Sequence, residues 1–349
     1  MNIQNNKVLS FDDVLLTPQY SDIKSRSEID TSIELIKNDL KIKLDIPIVS
    51  SPMSTVTEAY MCNAINNLGG IGIIHRYNTI SFQTKLCSYV YNTKLKSAAV
   101  GVTGDYKERL ESLYNEGLTI VCIDVAHGDH VLVKEALEFI NEFYPGLFII
   151  AGNVSTADSY ERLSSWGADA IRASVGSGSI CTTRIQTGHG IPTLQAVIDC
   201  DERRKQLILE GKKSAYIIAD GGIKNSGDIV KSLAAGADLV MLGSMLSGTK
   251  ESPGKVITSN EGKKVKKYSG MASKSAQKSW RGSYSSIEGV STYVNYKGTV
   301  SKVVNEIMSN VRSGMSYSGA RNLLELREAI FVQQTQSSHF EGQPHIYRK

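Results

Sequence analysis

Eight short apolar runs, amphipathic segments filling most of the gaps between them, and small or polar residues closing six of the runs predict a (β/α)8 TIM barrel. The runs cover 48–52, 70–75, 97–102, 119–125, 147–152, 170–175, 216–219 and 239–242. Each is rich in Val, Ile, Leu and Ala with almost no alternation, which is the pattern of a strand buried on both faces. Between them, 57–67, 107–115, 131–143, 157–166 and 225–235 carry apolar residues at helical spacing. A closed barrel is favoured over an open doubly wound sheet because closure leaves no edge strand to protect.

The chain has 349 residues, a length that fits one large domain as readily as two, and because barrels of this kind hold about 250 or more residues as one unit, the barrel reading makes residues 1–349 a single domain. Hydrophobic residues at 41% and charged residues at 21% exclude a disordered or fibrous chain. A net charge of +4 is too small to indicate a nucleic-acid or anionic-membrane surface, so neither partner is expected. The basic run Lys263, Lys264, Lys266 and Lys267 reads as a solvated loop. No apolar stretch approaches the roughly 18 residues of a membrane helix, and the start, with Asn2, Asn5, Asn6, Lys7, Asp12 and Asp13, has no signal-peptide core. The expected location is the cytoplasm. Five cysteines, widely spaced and without a CxxC, argue against a disulfide framework or a zinc knuckle.

The six closing motifs are Ser50-Ser51-Pro52, Asp124-Val125-Ala126-His127-Gly128, Gly152-Asn153-Val154, Gly176-Ser177-Gly178, Asp220-Gly221-Gly222 and Gly243-Ser244. Any one of them could be only a turn. Six on one rim mark the end at which barrel enzymes carry their chemistry. Beyond the eighth run, 248–298 is polar, rich in Lys, Ser and Gly and without a clear period, and reads as a mobile lid over the mouth. The stretch 299–330 reads as helical, and 333–349 as an exposed tail available to a neighbouring subunit.

The strongest local signal is a cysteine loop at about 176–193, in which two glycines and a run of hydroxyls precede Cys181. A thiol there sits at the barrel mouth, with Arg184 and backbone N–H groups at hand to favour the thiolate. Cys62, Cys87, Cys122 and Cys200 fall in apolar surroundings and read as packing residues. The glycine turns after the seventh and eighth runs occupy the corner where barrels bind phosphate. Asp220 is ill suited to a phosphate but could accept from two ribose hydroxyls. Together these features suggest a nucleoside monophosphate. His127 and His130 do not share a face and lack a third ligand, so they are not read as a metal pair. Without GxGxxG after the first run, and without GxxxxGK(S/T), neither a Rossmann domain nor a P-loop is supported.

Six segments and the cysteine loop carry a resemblance: Leu9-Ser-Phe-Asp-Asp-Val-Leu-Leu-Thr-Pro18, Ser51-Pro-Met-Ser-Thr-Val-Thr-Glu58, Gly69-Gly-Ile-Gly-Ile-Ile-His-Arg76, Ala151-Gly-Asn-Val154, Ile218-Ala-Asp-Gly-Gly-Ile-Lys224 and Tyr268-Ser-Gly-Met271. On these the chain resembles the IMP dehydrogenase and GMP reductase superfamily over nearly its whole length. The resemblance implies that Cys181 attacks purine C2, and that Gly176, Gly178 and Cys181 lend carbonyls to a potassium ion. It puts the phosphate contacts on Ser179, Gly222, Gly243, Ser244 and Tyr268. Ser51, Met53, Asp220, Gly221, Gly270 and Met271 would complete the nucleotide site. The cofactor would lie near Asp124, His127, Asn153 and the lid, with Arg76 as a further contact. A homotetramer is also implied.

The two branches of the superfamily share the covalent intermediate. Dehydrogenases hydrolyse it with an adjacent Arg-Tyr pair on the lid, whereas here Trp280-Arg281-Gly282-Ser283-Tyr284 keeps arginine and tyrosine apart. The short lid, the spacing from Glu288-Gly289 to Lys297-Gly298, and Thr187-Gly188 look like the reductases. The segment 102–118 is too short for the dehydrogenases' regulatory insert. On the other side, 69–76 and 220–248 look like bacterial dehydrogenases, and Ser174 stands where the family usually has glycine. The expectation is an NADPH-dependent GMP reductase, forming IMP and ammonia through a Cys181 thioimidate, with Thr183 and Glu288 as the proton relay. The alternative is a minimal IMP dehydrogenase, making XMP from IMP, NAD and water, in which Arg281 or Tyr284 activates the water. An inactive nucleotide-binding scaffold is disfavoured by the intact cysteine loop, Thr183 and Glu288.

Overall fold

The computed structural model describes residues 7–282 and 287–344, without the side chains at 275 and 279–281. All eight expected strands are present: Ile48–Ser50, Ile71–Gly72, Ser97–Val100, Ile120–Asp124, Phe148–Val154, Ala170–Ala173, Tyr216–Asp220 and Leu239–Leu242. They pair in parallel around one sheet, in the order second, first, eighth, and so on down to third. The sheet closes through Ile74, whose N–H donates to Ser97 O at 3.0 Å and whose carbonyl accepts from Ala99 N at 2.8 Å. The result is the (β/α)8 TIM barrel. Its outer ring holds the helices Ala59–Asn67, Ile80–Ser88, Tyr106–Asn115, Val131–Phe143, Ala157–Ser165, Thr193–Leu209, Ser226–Ala234 and Val300–Tyr317.

The runs lack alternation because both strand faces are packed. One face, including Val49, Ile71, Ile120, Phe148, Ile150, Ile218 and Met241, fills the barrel interior. The other packs on the helices, through residues such as Ile48, Val121, Ile149, Ile217 and Val240. An antiparallel hairpin, Ile33–Lys37 with Leu40–Leu44, inserts Leu35, Ile42 and Leu44 into the interior cluster at the amino-terminal end of the strands. The opposite end is left for the site.

Three expectations need correction. The stretch 248–298 has secondary structure of its own: strands Ile257–Thr258, Lys264–Ser269 and Ser291–Asn295 form an antiparallel sheet, and the helix Lys274–Arg281 lies between the last two. Composition hides its period because Lys266, within the basic run, is an inward position only 2% exposed. The helix after it stops at Tyr317, where Gly319 at φ +66° completes a Schellman turn with Ala320 N donating to Met315 O. The expected tail is mostly exposed over its described residues, as read, but it begins by pairing with its own chain. Phe331–Gln333 runs antiparallel to Val14–Leu16, and Gln334 N donates to Asp13 O. Among the described residues no helix is long and apolar enough to cross a membrane.

Candidate functional site

Strand register places four polar side chains around the carboxyl-end rim. Asp124 closes the fourth strand, Asn153 lies in the fifth, Arg172 in the sixth and Asp220 closes the seventh. Arg172, 7% exposed at its side chain, bridges the two carboxylates, at 2.6 Å to Asp124 Oδ1 and 2.8 Å to Asp220 Oδ2. Asn153 Nδ2 also donates to Asp220 Oδ2, at 2.8 Å, whereas Asp220 Oδ1 has no partner among the described residues. Arg76 donates twice to Asp124 O, at 3.2 and 3.0 Å, and Tyr77 Oη donates to Asp124 Oδ2 at 3.1 Å. Burial opposes the charge on Asp124, but Arg172 and then Arg76 outweigh it and hold the carboxyl below its ordinary value. Burial also opposes the charge on Arg172, and the two carboxylates override it.

The cysteine loop leaves the sixth strand through Ser174 at φ +146°, a conformation that favours glycine. The loop turns back when Cys181 N donates to Gly178 O at 3.0 Å. It is stitched to the lid by Thr182 N to Glu288 O at 2.9 Å and Val290 N to Ile180 O at 3.0 Å. The Cys181 thiol donates to Thr183 Oγ1 at 3.1 Å, and Thr183 Oγ1 donates to Glu288 Oε2 at 2.8 Å. Cys181 is half-buried while the other four cysteines are buried, and burial pushes Cys87 up to about 11 and Cys122 up to about 12. Nearby, Ser179 and Tyr268 hydroxyls meet at 3.2 Å. Tyr268 Oη and Met53 Sδ crowd Gly243 so closely that a β-carbon there would fall 3.2 and 3.3 Å from them. Met271 Sδ accepts from Ser54 N, seating the lid on the first rim loop.

A cavity of 440 Å³ gathers most of the expected residues: Ser51, Met53, Arg76, Asp124, Asn153, Gly176, Gly178, Cys181, Thr183, Asp220, Gly221, Tyr268, Gly270, Met271 and Glu288 all line it. Ser179 and Gly243 adjoin it through Tyr268, and Gly222 packs on Ser177 of the cysteine loop. Ser244 faces a second cavity of 840 Å³ with Lys224 and Lys297. His127 is exposed on the rim beside Asp129 and lines neither. His130 caps the helix Val131–Phe143 by accepting from Leu132 N. Tyr284 lies outside the described residues, as does the Arg281 side chain. Sequence reasoning missed Arg172 and Tyr77. A charge inside the buried run Ala170-Ile-Arg-Ala173 was the available signal for Arg172, since an unpaired cation is not left in such a strand.

Comparison with known proteins follows the same lines. The sequence model described as the IMP dehydrogenase / GMP reductase domain matches residues 8–345. An inosine-5'-monophosphate dehydrogenase of Nitrosopumilus maritimus is 34% identical over an alignment of 475 residues, covering 97% of this chain and 98% of that protein. A GMP reductase of Caenorhabditis elegans is 34% identical over 348 residues, covering 97% and 95%. GMP reductase 2 of Bos taurus is 36% identical, covering 96% and 97%. Among solved structures, a GMP reductase variant from Trypanosoma brucei in complex with guanosine 5'-monophosphate superposes with a TM-score of 0.89 at 28% identity, covering 97% of this chain and 98% of that one. The barrel, the cysteine loop on its rim and these likenesses together establish that the chain belongs to the IMP dehydrogenase / GMP reductase family of oxidoreductases.

Proposed function

We propose that the protein is a GMP reductase, converting GMP and NADPH to IMP and ammonia, with Cys181 as nucleophile. The observation that carries this reading is the hydrogen-bonded chain from the Cys181 thiol through Thr183 to Glu288. A proton leaving sulfur has a path to the carboxylate, and the same path can return one to a leaving amine. Cys181 Sγ adds to C2 of GMP as its proton passes to Glu288. Amide anion being too poor a leaving group, the relay protonates the C2 amine, which departs as ammonia and leaves a thioimidate on Cys181. The reduced nicotinamide, when bound, supplies the hydride that C2 gains. Cleavage of the Sγ–C2 bond then returns the thiolate and frees IMP.

The remaining residues hold the reactants. Ser179, Tyr268 and the backbone at Gly222, Gly243 and Ser244 would take the phosphate. Asp220 Oδ1 would accept from the ribose hydroxyls, its partner oxygen being fixed by Arg172 and Asn153. Ser51, Met53, Gly221, Gly270 and Met271 would wall the nucleotide. For the cofactor, Asp124 and Asn153 lie on the rim, and Arg76 and Tyr77 form a wall shared with a further cavity of 1000 Å³, which leaves room for a dinucleotide. His127 would reach it only from outside both cavities. Potassium also fits: the Gly176 carbonyl takes no hydrogen bond among the described residues, and Gly178 O has a lone pair beyond the one given to Cys181 N. Bound there with the Cys181 carbonyl, it would brace the loop.

Length supports the reductase branch, since the chain aligns with the worm reductase over 348 residues but with the archaeal dehydrogenase over 475. The reading includes a single catalytic domain without the regulatory insert. It also includes a cytoplasmic homotetramer, as the family resemblance implies. The test is to follow the absorbance of reduced cofactor with GMP plus NADPH and with IMP plus NAD. GMP-dependent loss of NADPH is expected. NADH formation from IMP with no such loss would overturn the reading in favour of the minimal dehydrogenase.

A further inference from the structure

The lid sheet buries a positive charge that the proposed chemistry does not use. Lys266, in the strand Lys264–Ser269, is 2% exposed, and its Nζ donates to the carbonyls of Thr249, at 3.0 Å, and Ser252. No carboxylate lies within ion-pair distance of it among the described residues. Glu251, the acidic group that faces it, gives Oε2 to the N–H of Val300 at 2.7 Å, at the start of the long helix Val300–Tyr317. The loop 243–254 is a run of turns held from within, with Thr249 Oγ1 donating to Leu246 O and Ser252 Oγ to Thr249 O, both at 2.8 Å. A second lid lysine, Lys297, donates to Ser244 O and Met245 O at 2.7 and 3.0 Å. Two ammonium groups therefore gather four carbonyls of one loop.

A buried cation solvated by backbone carbonyls alone is in the surroundings that proteins otherwise give to a monovalent metal ion. We propose that Lys266 acts as a tethered monovalent cation, whose ammonium occupies a carbonyl cage, pins the lid to the loop after the eighth strand, and so positions Tyr268 against Gly243. The geometry makes the link short. Tyr268 lies two residues along the same strand, and Gly243 opens the loop that the ammonium holds. Lys266 touches neither nucleotide nor thiol and is a positioning residue. Its burial, opposed only by Glu251, also draws its pKa below the ordinary lysine value, as expected of an ammonium without a counter-ion.

The test uses two variants. Lys266→Ala keeps the β-carbon and leaves a space that propylammonium fills, atom for atom. Its melting temperature should fall, and should recover by several degrees with propylammonium but not with tetramethylammonium, which has no N–H to donate; wild type should respond to neither. Lys266→Met fills the space without charge. It should fold, show no rescue, and raise KM for GMP about fivefold with kcat within about twofold, because misplacing Tyr268 weakens ground and transition states alike. The kinetic arm rests on the reductase reading, whereas the thermal arm does not. Equal responses to the two ammonium ions, or a Lys266→Met protein matching wild type in melting and KM, would overturn the proposal.

Discussion

Both ends of the barrel bury carboxylates beside cations, yet they spend the charges differently. At the amino end, Asp169 and Asp238 stand just before the sixth and eighth strands. Each accepts from the N–H of a neighbouring strand, Ile149 at 2.8 Å and Ile217 at 2.7 Å. Lys37, at 2.9 Å from Asp169, and Arg204, at 2.5 Å from Asp238, balance them, and the hairpin carrying Leu35 seals that end. At the carboxyl end, Asp124, Arg172 and Asp220 form an equally close triad, but Asp220 Oδ1 has no partner among the described residues and the group borders a 440 Å³ cavity. The lesson is that a buried ion pair is structural where its remaining valences are taken up by backbone and further cations, as Arg327 takes Asp238 Oδ1, and available for function where they face an opening.

Substitutions at the two ends should therefore separate activity from stability. The largest effect is expected at the rim: Cys181→Ala should reduce turnover by about 10⁴-fold, while its melting temperature stays within about 2 °C because the thiol packs little. Retained turnover would sink the covalent mechanism.

Arg172→Met sharpens the comparison, since it leaves two buried carboxylates facing each other and should cost about 4 kcal/mol in urea unfolding. It also gives the pH dependence a sign. With its native pKa depressed, Asp124 contributes stability above its unfolded value of about 3.9, and that contribution is lost as pH falls through the lower native value. Without Arg172 most of that contribution is lost, since only Arg76 and the Tyr77 hydroxyl remain to oppose burial, so the acid-unfolding midpoint should move to higher pH. An unmoved midpoint would mean that Arg172 does not govern Asp124.

The converse variant sits at the base. Leu35→Ala should cost about 3 kcal/mol of stability by leaving a cavity under the barrel interior, with kcat unchanged where the protein is folded. A matching loss of kcat would break the division between the ends. Smaller still, Glu288→Gln should slow turnover about 100-fold with GMP affinity nearly intact, because the carboxyl is needed as an acid and not as an anchor. Exchanging potassium for sodium should cost only a few-fold in rate if the Gly176 and Gly178 carbonyls hold the ion; equal rates would remove that site.

The barrel was legible because its strands are buried twice over, so eight apolar runs stand out wherever they occur, from Ile48–Ser50 to Leu239–Leu242. The glycines, serines and acids closing those runs fell on one rim for the same reason, since parallel strands all end on one side. The lid sheet was not legible. Its strand Lys264–Ser269 alternates irregularly and turns a lysine inward, against every hydropathy rule. Arg172 was also passed over, because its meaning depends on two acids 48 residues away in either direction along the chain.

By itself the sequence determined at which end of the barrel the small and polar strand ends gather and which thiol stands among them, because strand polarity and local turn composition are written in contiguous residues. Only the tertiary structure decided that Glu288 reaches Thr183 across 105 positions, that Arg172 joins Asp124 to Asp220, and that Lys266 is enclosed by carbonyls. Those relations depend on distances between segments remote in the chain, which packing sets and local composition does not record.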